Sequence, residues 1–385
     1  MGNGIVFADV MQEGKLEVPN KASNNRVAFV DTLKLLAILG VITIHISATP
    51  LTSLEIASLD WYVALFFGSI IRWAVPIFLM CSGVLFLKDD KVITTKQIFT
   101  KYLFRILCAL FVWAAFYEAI DILKVFNRIG YIDYDIIYKS IKKILLFNTK
   151  SHLYYLYIVI LIYSLLPIIR VFTGTASKSQ IEYLIIAWLV LGIVLPFVIQ
   201  FRPFSLIRGM VRQYPISMVY SAIGYFVLGH YMNKYTLKRW TNYLIYFLGV
   251  IGFLVTLWGT AFSSIANNSV YTLYLEGMSP NVAAMAAAIF LLVKNLNSRE
   301  YQGMEMGSGT GRGVKRKVIS YISKGSFCIY LVHIAIIDLL RALKLTFSGE
   351  NTLITIPLLV FAVLMLSLGV YFILSKIPVV KRYLI

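Results

Sequence analysis

Charge is scarce in this sequence. Only 14% of its 385 residues are Asp, Glu, Lys or Arg, where globular chains carry about 25%. That excludes a large soluble domain, which needs more solvated side chains to cover its surface. Cysteine is rarer still, and Cys81, Cys108 and Cys328 all lie inside apolar runs. An odd number of embedded thiols gives neither a disulfide framework nor a metal spacing, so they read as small apolar fillers. The four histidines lack the His/Glu/Asp spacings of a zinc site, and no metal is expected. No Ser-His-Asp or Gly-x-Ser-x-Gly arrangement stands out. No internal repeat points to the inverted halves of many transporters. Residues 1–25 are polar and mixed, without the positive start and apolar run of a secretory signal. Val6 stands where a myristoylation signature wants Ser or Thr.

Hydrophobicity is what the chain has, at 59% of residues. Apolar stretches recur from Val27 almost to the C-terminus, each near the roughly 20 residues that carry a helix across a bilayer. The expected fold is all-α: a polytopic membrane bundle of about ten spans, with residues 1–25 as a cytoplasmic tail and 26–385 as one transmembrane domain. The spans read as 29–49, 61–87, 102–122, 152–171, 181–200, 215–232, 241–262, 278–296, 321–343 and 352–374. The formal net charge of +18 sits at segment ends rather than in an aromatic-interleaved patch, which makes the lipid bilayer the expected partner and not nucleic acid. With both termini inside, the inner segments hold about 23 basic residues against about 11 outside, the asymmetry of a cytoplasmic face. The outer loop 123–150 runs against this trend, with Lys139, Lys142, Lys143 and Lys150; an amphipathic helix on the membrane surface accounts for it. The segment Gly303–Lys317 is glycine-rich but lacks a Gly-Lys-Ser/Thr ending, and reads as a flexible basic loop rather than a phosphate cradle.

Ionisable residues inside the spans carry the chemical information, because each costs roughly 2.5–3.5 kcal/mol unless a partner or a wet cavity receives it. Lys34 and His45 are eleven residues apart in the first span. That spacing puts them on one face, roughly 16 Å apart, with Lys34 in the inner part and His45 in the outer. Either they line a site, or Lys34 snorkels to lipid phosphate and His45 is interfacial. Arg72, deep in the second span, needs an anionic partner, a wet cavity or a structural ion pair with a carboxylate. Glu118 in the third span is expected at the depth of His45, where a carboxylate orients an imidazole. The alternatives are that it pairs with Arg72, or that Glu118 and Asp121 simply mark a helix end. His152 opens the fourth span, and His333 lies in the middle of the ninth with Asp338 further out. His230, near an inner end, reads as interfacial.

In order along the chain stand Asp31-Thr-Leu-Lys34…His45, Arg72-Trp-Ala-Val-Pro-Ile-Phe…Ser82-Gly83 and Lys101…Arg105-Ile-Leu. His152-Leu-Tyr-Tyr-Leu-Tyr…Pro167, Ser279-Pro-Asn281 and Ser326-Phe-Cys-Ile-Tyr-Leu-Val-His333 follow. Jointly these resemble the membrane-bound acyltransferase 3 family over about 26–345. The branch they are most similar to is the stand-alone surface-polysaccharide O-acetyltransferases of the enterobacterial common antigen type. The resemblance implies a ten-helix bundle in the cell membrane that moves an acyl group, acetyl in the first place, from acyl-CoA to a glycan hydroxyl. Acyl-CoA is then a co-substrate, and no resident cofactor is implied.

By the same resemblance, His45 occupies the catalytic position, acting as general base or as covalent acyl carrier, with Glu118 beside it. Lys34 stands where the family has Arg, keeping the charge but losing bidentate geometry. Arg72 and Arg105 match basic positions associated with the donor. Lys101, Arg105 and Lys34 suit the phosphates of acyl-CoA at the inner side. His152, Tyr154 and His333 are expected along the acceptor path, with Tyr155 and Tyr157 nearby. Two other classes compete. A glycan or organic-anion exporter would use Arg72 and Lys34 as transport-site cations. A sensor or structural membrane subunit would not need so many embedded charges. The sequence assigns no oligomeric state.

Overall fold

The computed structural model describes residues 21–209, 218–302, 310–345 and 351–385, and every regular element among them is a helix. The long helices are α1 Lys21–Ser53, α2 Leu59–Ile70, α3 Ala74–Phe86, α4 Phe104–Ile129, α5 Tyr134–Leu145 and α6 Tyr154–Thr175. They continue as α7 Lys178–Trp188, α8 Met218–Lys234, α9 Arg239–Asn267, α10 Pro280–Gln302, α11 Thr310–Ala342 and α12 Thr352–Leu374. Among the described residues, 9 helical segments are long and apolar enough to cross a membrane. The remaining expected span corresponds to α8, whose 17 described residues adjoin 210–217, outside the described ones. Side chains such as Phe247, Leu358, Phe361 and Ile373 are each more than half exposed. Apolar surface on that scale is at home only against lipid tails. The chain is a multi-pass helical membrane protein.

Helix α1 is the hub, packing against α2, α3, α10, α11 and α12. Leu33, Ala37, Ile38 and Ile42 are fully buried along it. Polar ties hold its neighbours in register: Ser323 Oγ donates to Asp31 at 2.7 Å, and Asp60 accepts from the Thr352 amide at 2.7 Å. Small residues allow close approach where lipid offers no hydrophobic drive between helices. A Cβ added at Gly83 would overlap the main chain of Phe226, and one at Gly229 would overlap that of Met80. Helices α3 and α8 therefore touch backbone to backbone.

The second span is not one helix. It breaks at Ile71–Trp73, between α2 and α3. The cause is Pro76, whose ring clashes with the carbonyl four residues back, that of Arg72, and which has no N–H to give it. The carbonyls at the end of α2, left open by the break, are capped locally. Arg72 Nε donates to Gly68 O at 3.0 Å, the Arg72 amide to Ser69 O at 3.4 Å, and Trp73 Nε1 to Ile70 O at 2.6 Å. A membrane break persists only when such partners are present.

Other boundaries move. Helix α1 already begins at Lys21, shortening the expected tail. The third span runs from Thr95 through a π turn, Ile98–Leu103, to Ile129. Of the expected flexible loop, residues 303–309 lie outside the described ones, but from Thr310 the chain is helical and continuous with α11. Once a span has nucleated, each further residue adds a hydrogen bond without a new nucleus. The expected surface helix is present as α5. Its Lys139 pairs with Asp135 at 2.5 Å and its Lys143 with Glu118 at 3.6 Å, and beyond the helix Lys150 pairs with Asp121 at 3.0 Å. Asp338 at the end of α11 pairs with Lys124 at 2.9 Å and Arg341 at 3.1 Å. Carboxylates thus pair four of the loop's cations, Lys124, Lys139, Lys143 and Lys150, while the Lys and Arg count that runs against the asymmetry stands.

Gly229→Leu should lower thermal stability in detergent by about 1–3 kcal/mol or more, through overpacking at the α3–α8 contact. Gly369→Leu, with nothing within 4 Å of its added Cβ, should leave the melting temperature unchanged. For topology, a cysteine at Asn267 should react with a membrane-impermeant reagent in intact cells. One at Lys96 should react only after permeabilisation, and the reverse pattern would invert the orientation.

Candidate active site

The histidines from three separate stretches meet at one place. The His45 ring lies 5.1 Å from that of His333 and 6.5 Å from that of His152, and His152 and His333 are 5.5 Å apart, centroid to centroid. His45 comes from α1, His152 from the turn Ser151–Leu153 that opens α6, and His333 from α11. His333 and His152 are buried, and the Nε2 atoms of both lack a hydrogen-bond partner among the described residues.

Two tyrosines build the wall behind them. Tyr117, fully buried, sets its ring 4.8 Å from His152. It donates its hydroxyl to Leu331 O at 2.6 Å, tying α4 to α11. The Tyr330 hydroxyl donates to His152 O, while Tyr330 O meets His333 Nδ1 at 2.6 Å.

A cavity of about 710 Å³ opens beside this cluster, lined by His45, His152, Arg72, Tyr154, Tyr330 and Glu276 among others. Residues 272–279, between α9 and α10, form part of its rim, which sets the cavity at the end of the bundle away from the lysine- and arginine-rich face. The helix break delivers Arg72 to it. Among the described residues no carboxylate is within salt-bridge distance of Arg72; Glu276 and Tyr154 act on it through space. Its Nη2 lies 3.8 Å from the position of a Cβ added at Gly68. The guanidinium caps a broken helix with Nε and lines the cavity, a setting suited to receive an anion or a developing oxyanion.

A second cluster sits at the opposite, basic end. Lys91, in the connection after α3, lies in the field of Arg170, Lys101, Lys34 and Lys88. Burial, and then these cations, hold its ammonium below the ordinary lysine value. Lys91 donates to Leu85 O at 3.2 Å and covers the Phe86 ring at 4.7 Å. Arg170 is spent on the Phe86 and Lys91 carbonyls. Lys101 sits on the π turn with its ammonium 5.6 Å from the Tyr102 ring.

The structure brings together His45, Arg72, His152 and Tyr154 on one cavity, and Lys34 with Lys101 at the other end. It does not bring Glu118 to His45. The Glu118 carboxylate faces Lys143, and its chain neighbour Tyr117 is the residue that meets His152, because successive helix positions point about 100° apart. Nor does Glu118 pair with Arg72. His333 is fully buried and does not line the cavity, so it is not placed on an acceptor path. Arg105 donates to the main-chain oxygen of Ile385 and lies 5.6 Å from the Phe327 ring. Sequence reasoning missed Glu276, which lies outside the long apolar runs, and Lys91 and Arg170, which read as ordinary end-of-span cations. Tyr330 carried a signal, three residues before His333 on the same helix face.

The two ends of this bundle define a class: a membrane protein with a cationic mouth at one end and a histidine-lined cavity at the other. The chain belongs to the acyltransferase 3 family, whose acyltransferase-domain model matches residues 27–376. No curated protein and no solved structure matches it. It is a membrane acyltransferase.

Arg72→Ala should cut acyl transfer at least about 100-fold, the scale of a lost oxyanion donor. Assaying the monodisperse folded fraction separates this from loss of the helix cap. A lower melting temperature with unchanged turnover would reduce Arg72 to a structural role.

Proposed function

We propose that this acyltransferase takes its acyl group, acetyl in the first place, from acyl-CoA at the cytoplasmic face. The group is passed to a hydroxyl of a cell-surface or lipid-linked glycan in the plasma membrane. The observation that carries this reading is the alignment of the two clusters along α1. Lys34 belongs to the cationic mouth, His45 to the outer cavity, and eleven residues of helix separate them. A donor with a polyanionic head and a long uncharged arm matches that layout: the phosphates stay with Lys34, Lys91 and Lys101, and the pantetheine arm carries the thioester inward. Lys91 adds to the donor-binding set. Arg105, held by Ile385 O, supports the mouth from behind.

In the cavity, His45 removes the proton of an acceptor hydroxyl as its oxygen attacks the thioester carbonyl. The oxyanion that forms faces Arg72. Collapse breaks the carbon–sulfur bond, and the departing thiolate takes the proton back from His45, so protons and charge balance. In the covalent variant the neutral His45 nitrogen attacks the thioester carbonyl and CoA leaves as the thiolate; the hydroxyl then displaces the imidazole from the acyl group, and its proton passes through His45 to the thiolate. Tyr154, Tyr330 and the Glu276 carboxylate supply an aromatic face and an acceptor for sugar hydroxyls. An exporter would need neither a base nor thioester cleavage.

His45→Ala should lower acyl transfer by about 10²–10⁴-fold, while His230→Ala, on the inner half of α8, stays near wild type. Incubation with labelled acetyl-CoA and no acceptor separates the two routes: label on the wild type alone marks the covalent one. Near-normal transfer by His45→Ala, or surface glycans of equal mass with and without the protein, would overturn the proposal.

A further inference from the structure

The third histidine has no task in the chemistry above. His333 is fully buried, off the cavity wall, and so does not touch an acceptor. Its Nδ1 lies 2.6 Å from Tyr330 O. A carbonyl oxygen only accepts, so Nδ1 carries the proton in this hydrogen bond, and in the neutral ring Nε2 is left as a bare acceptor. That Nε2 is buried with no partner among the described residues, a state that buried polar atoms rarely tolerate without a reason. The nearest ring is His45, at 5.1 Å and a 51° tilt; His152 is farther, at 5.5 Å, and nearly perpendicular. None of the described residues hydrogen-bonds the His45 ring. A 5.1 Å centroid separation leaves room for two facing ring nitrogens to come within hydrogen-bond range once the rings turn to meet. Alignment of this kind commonly completes only when substrate is bound.

We propose that His333 is a positioning residue for His45: its Nε2 accepts the N–H of one His45 nitrogen, so that the other presents its lone pair to the cavity. The chain Tyr330 O, His333, His45 then does with a second imidazole what a carboxylate does for histidine in a hydrolase triad. It selects one tautomer of the base and steadies its ring. It does so without placing a further charge in the membrane interior, where a carboxylate would be costly. It also supplies the orienting group that Glu118, held by Lys143, does not. This proposal rests on His45 being the reacting base.

The test compares two amides at one position. In His333→Gln the side-chain oxygen reaches about where Nε2 stands. In His333→Asn the shorter amide still donates to Tyr330 O but stops short of His45. The full-length purified protein is assayed for free-thiol release from acetyl-CoA with water as the acceptor. His333→Gln should keep kcat within about threefold and His333→Asn should lose about 100-fold, both with the wild-type KM for acetyl-CoA. Equal kcat for the two variants, or an effect confined to KM, overturns the proposal. So does hydrolysis untouched in His333→Asn with only glycan transfer impaired, since that marks an acceptor contact. In a His45→Ala background the Gln–Asn contrast should vanish, because a residue acting through His45 has nothing left to position; its persistence overturns the idea. A measurement on the wild type avoids any folding defect. With 15N-histidine, the His45 signal, assigned by its loss in His45→Ala, should show a single neutral tautomer, and a mixture overturns the proposal. Absence of thiol release from the wild type, or full activity in His45→Ala, defeats the underlying base assignment and this proposal with it.

Discussion

A guanidinium partway across a hydrocarbon layer must be satisfied by the protein, because Arg cannot shed its charge and lipid offers no acceptor. The arrangement around Arg72 meets that demand by breaking a helix. Pro76 denies the second span its regular ladder, and the carbonyls set free at Gly68, Ser69 and Ile70 are the acceptors that Arg72 and Trp73 use. One residue thereby caps the break and occupies the cavity. The close crossing of α1 over the start of α3 follows from the same feature, since Gly40 admits Ala74 to within 2.7 Å of its would-be Cβ. Moving the break by one residue would turn the guanidinium away from His45 by about a quarter turn.

The bundle separates charge along its axis. Cations gather at the mouth around Lys91, where their fields lower the stability of its charged form. The outer cavity holds imidazoles, phenols and a single guanidinium, with Glu276 at its rim. Between the two ends α1 carries Ala37, Ile38 and Ile42, all fully buried. A reaction whose donor is highly charged at one end and reactive at the other fits this division. Around α5, Lys143 and Lys150 pair with Glu118 and Asp121.

The long apolar runs and the placement of Lys and Arg determined, by themselves, a polytopic helical membrane protein, because a bilayer admits few ways to satisfy a backbone and taxes every buried charge. For the same reason the expensive residues Arg72, His45 and His333 stood out in the sequence, as did the shared face of Lys34 and His45, which is helix arithmetic. What depends on which helix lies beside which was decided only by tertiary structure. The choice between Glu118 and Tyr117 turned on a single helical step and on α11 lying alongside. Sequence rules favoured the carboxylate because it is costly, whereas the fold spent it on a surface lysine. The convergence of His152 and His333 on His45 joins residues more than a hundred positions apart, and no local periodicity encodes such a meeting. Glu276 and Lys91 lie in connections, where the membrane imposes no penalty on charge and the sequence carries no signal of direction.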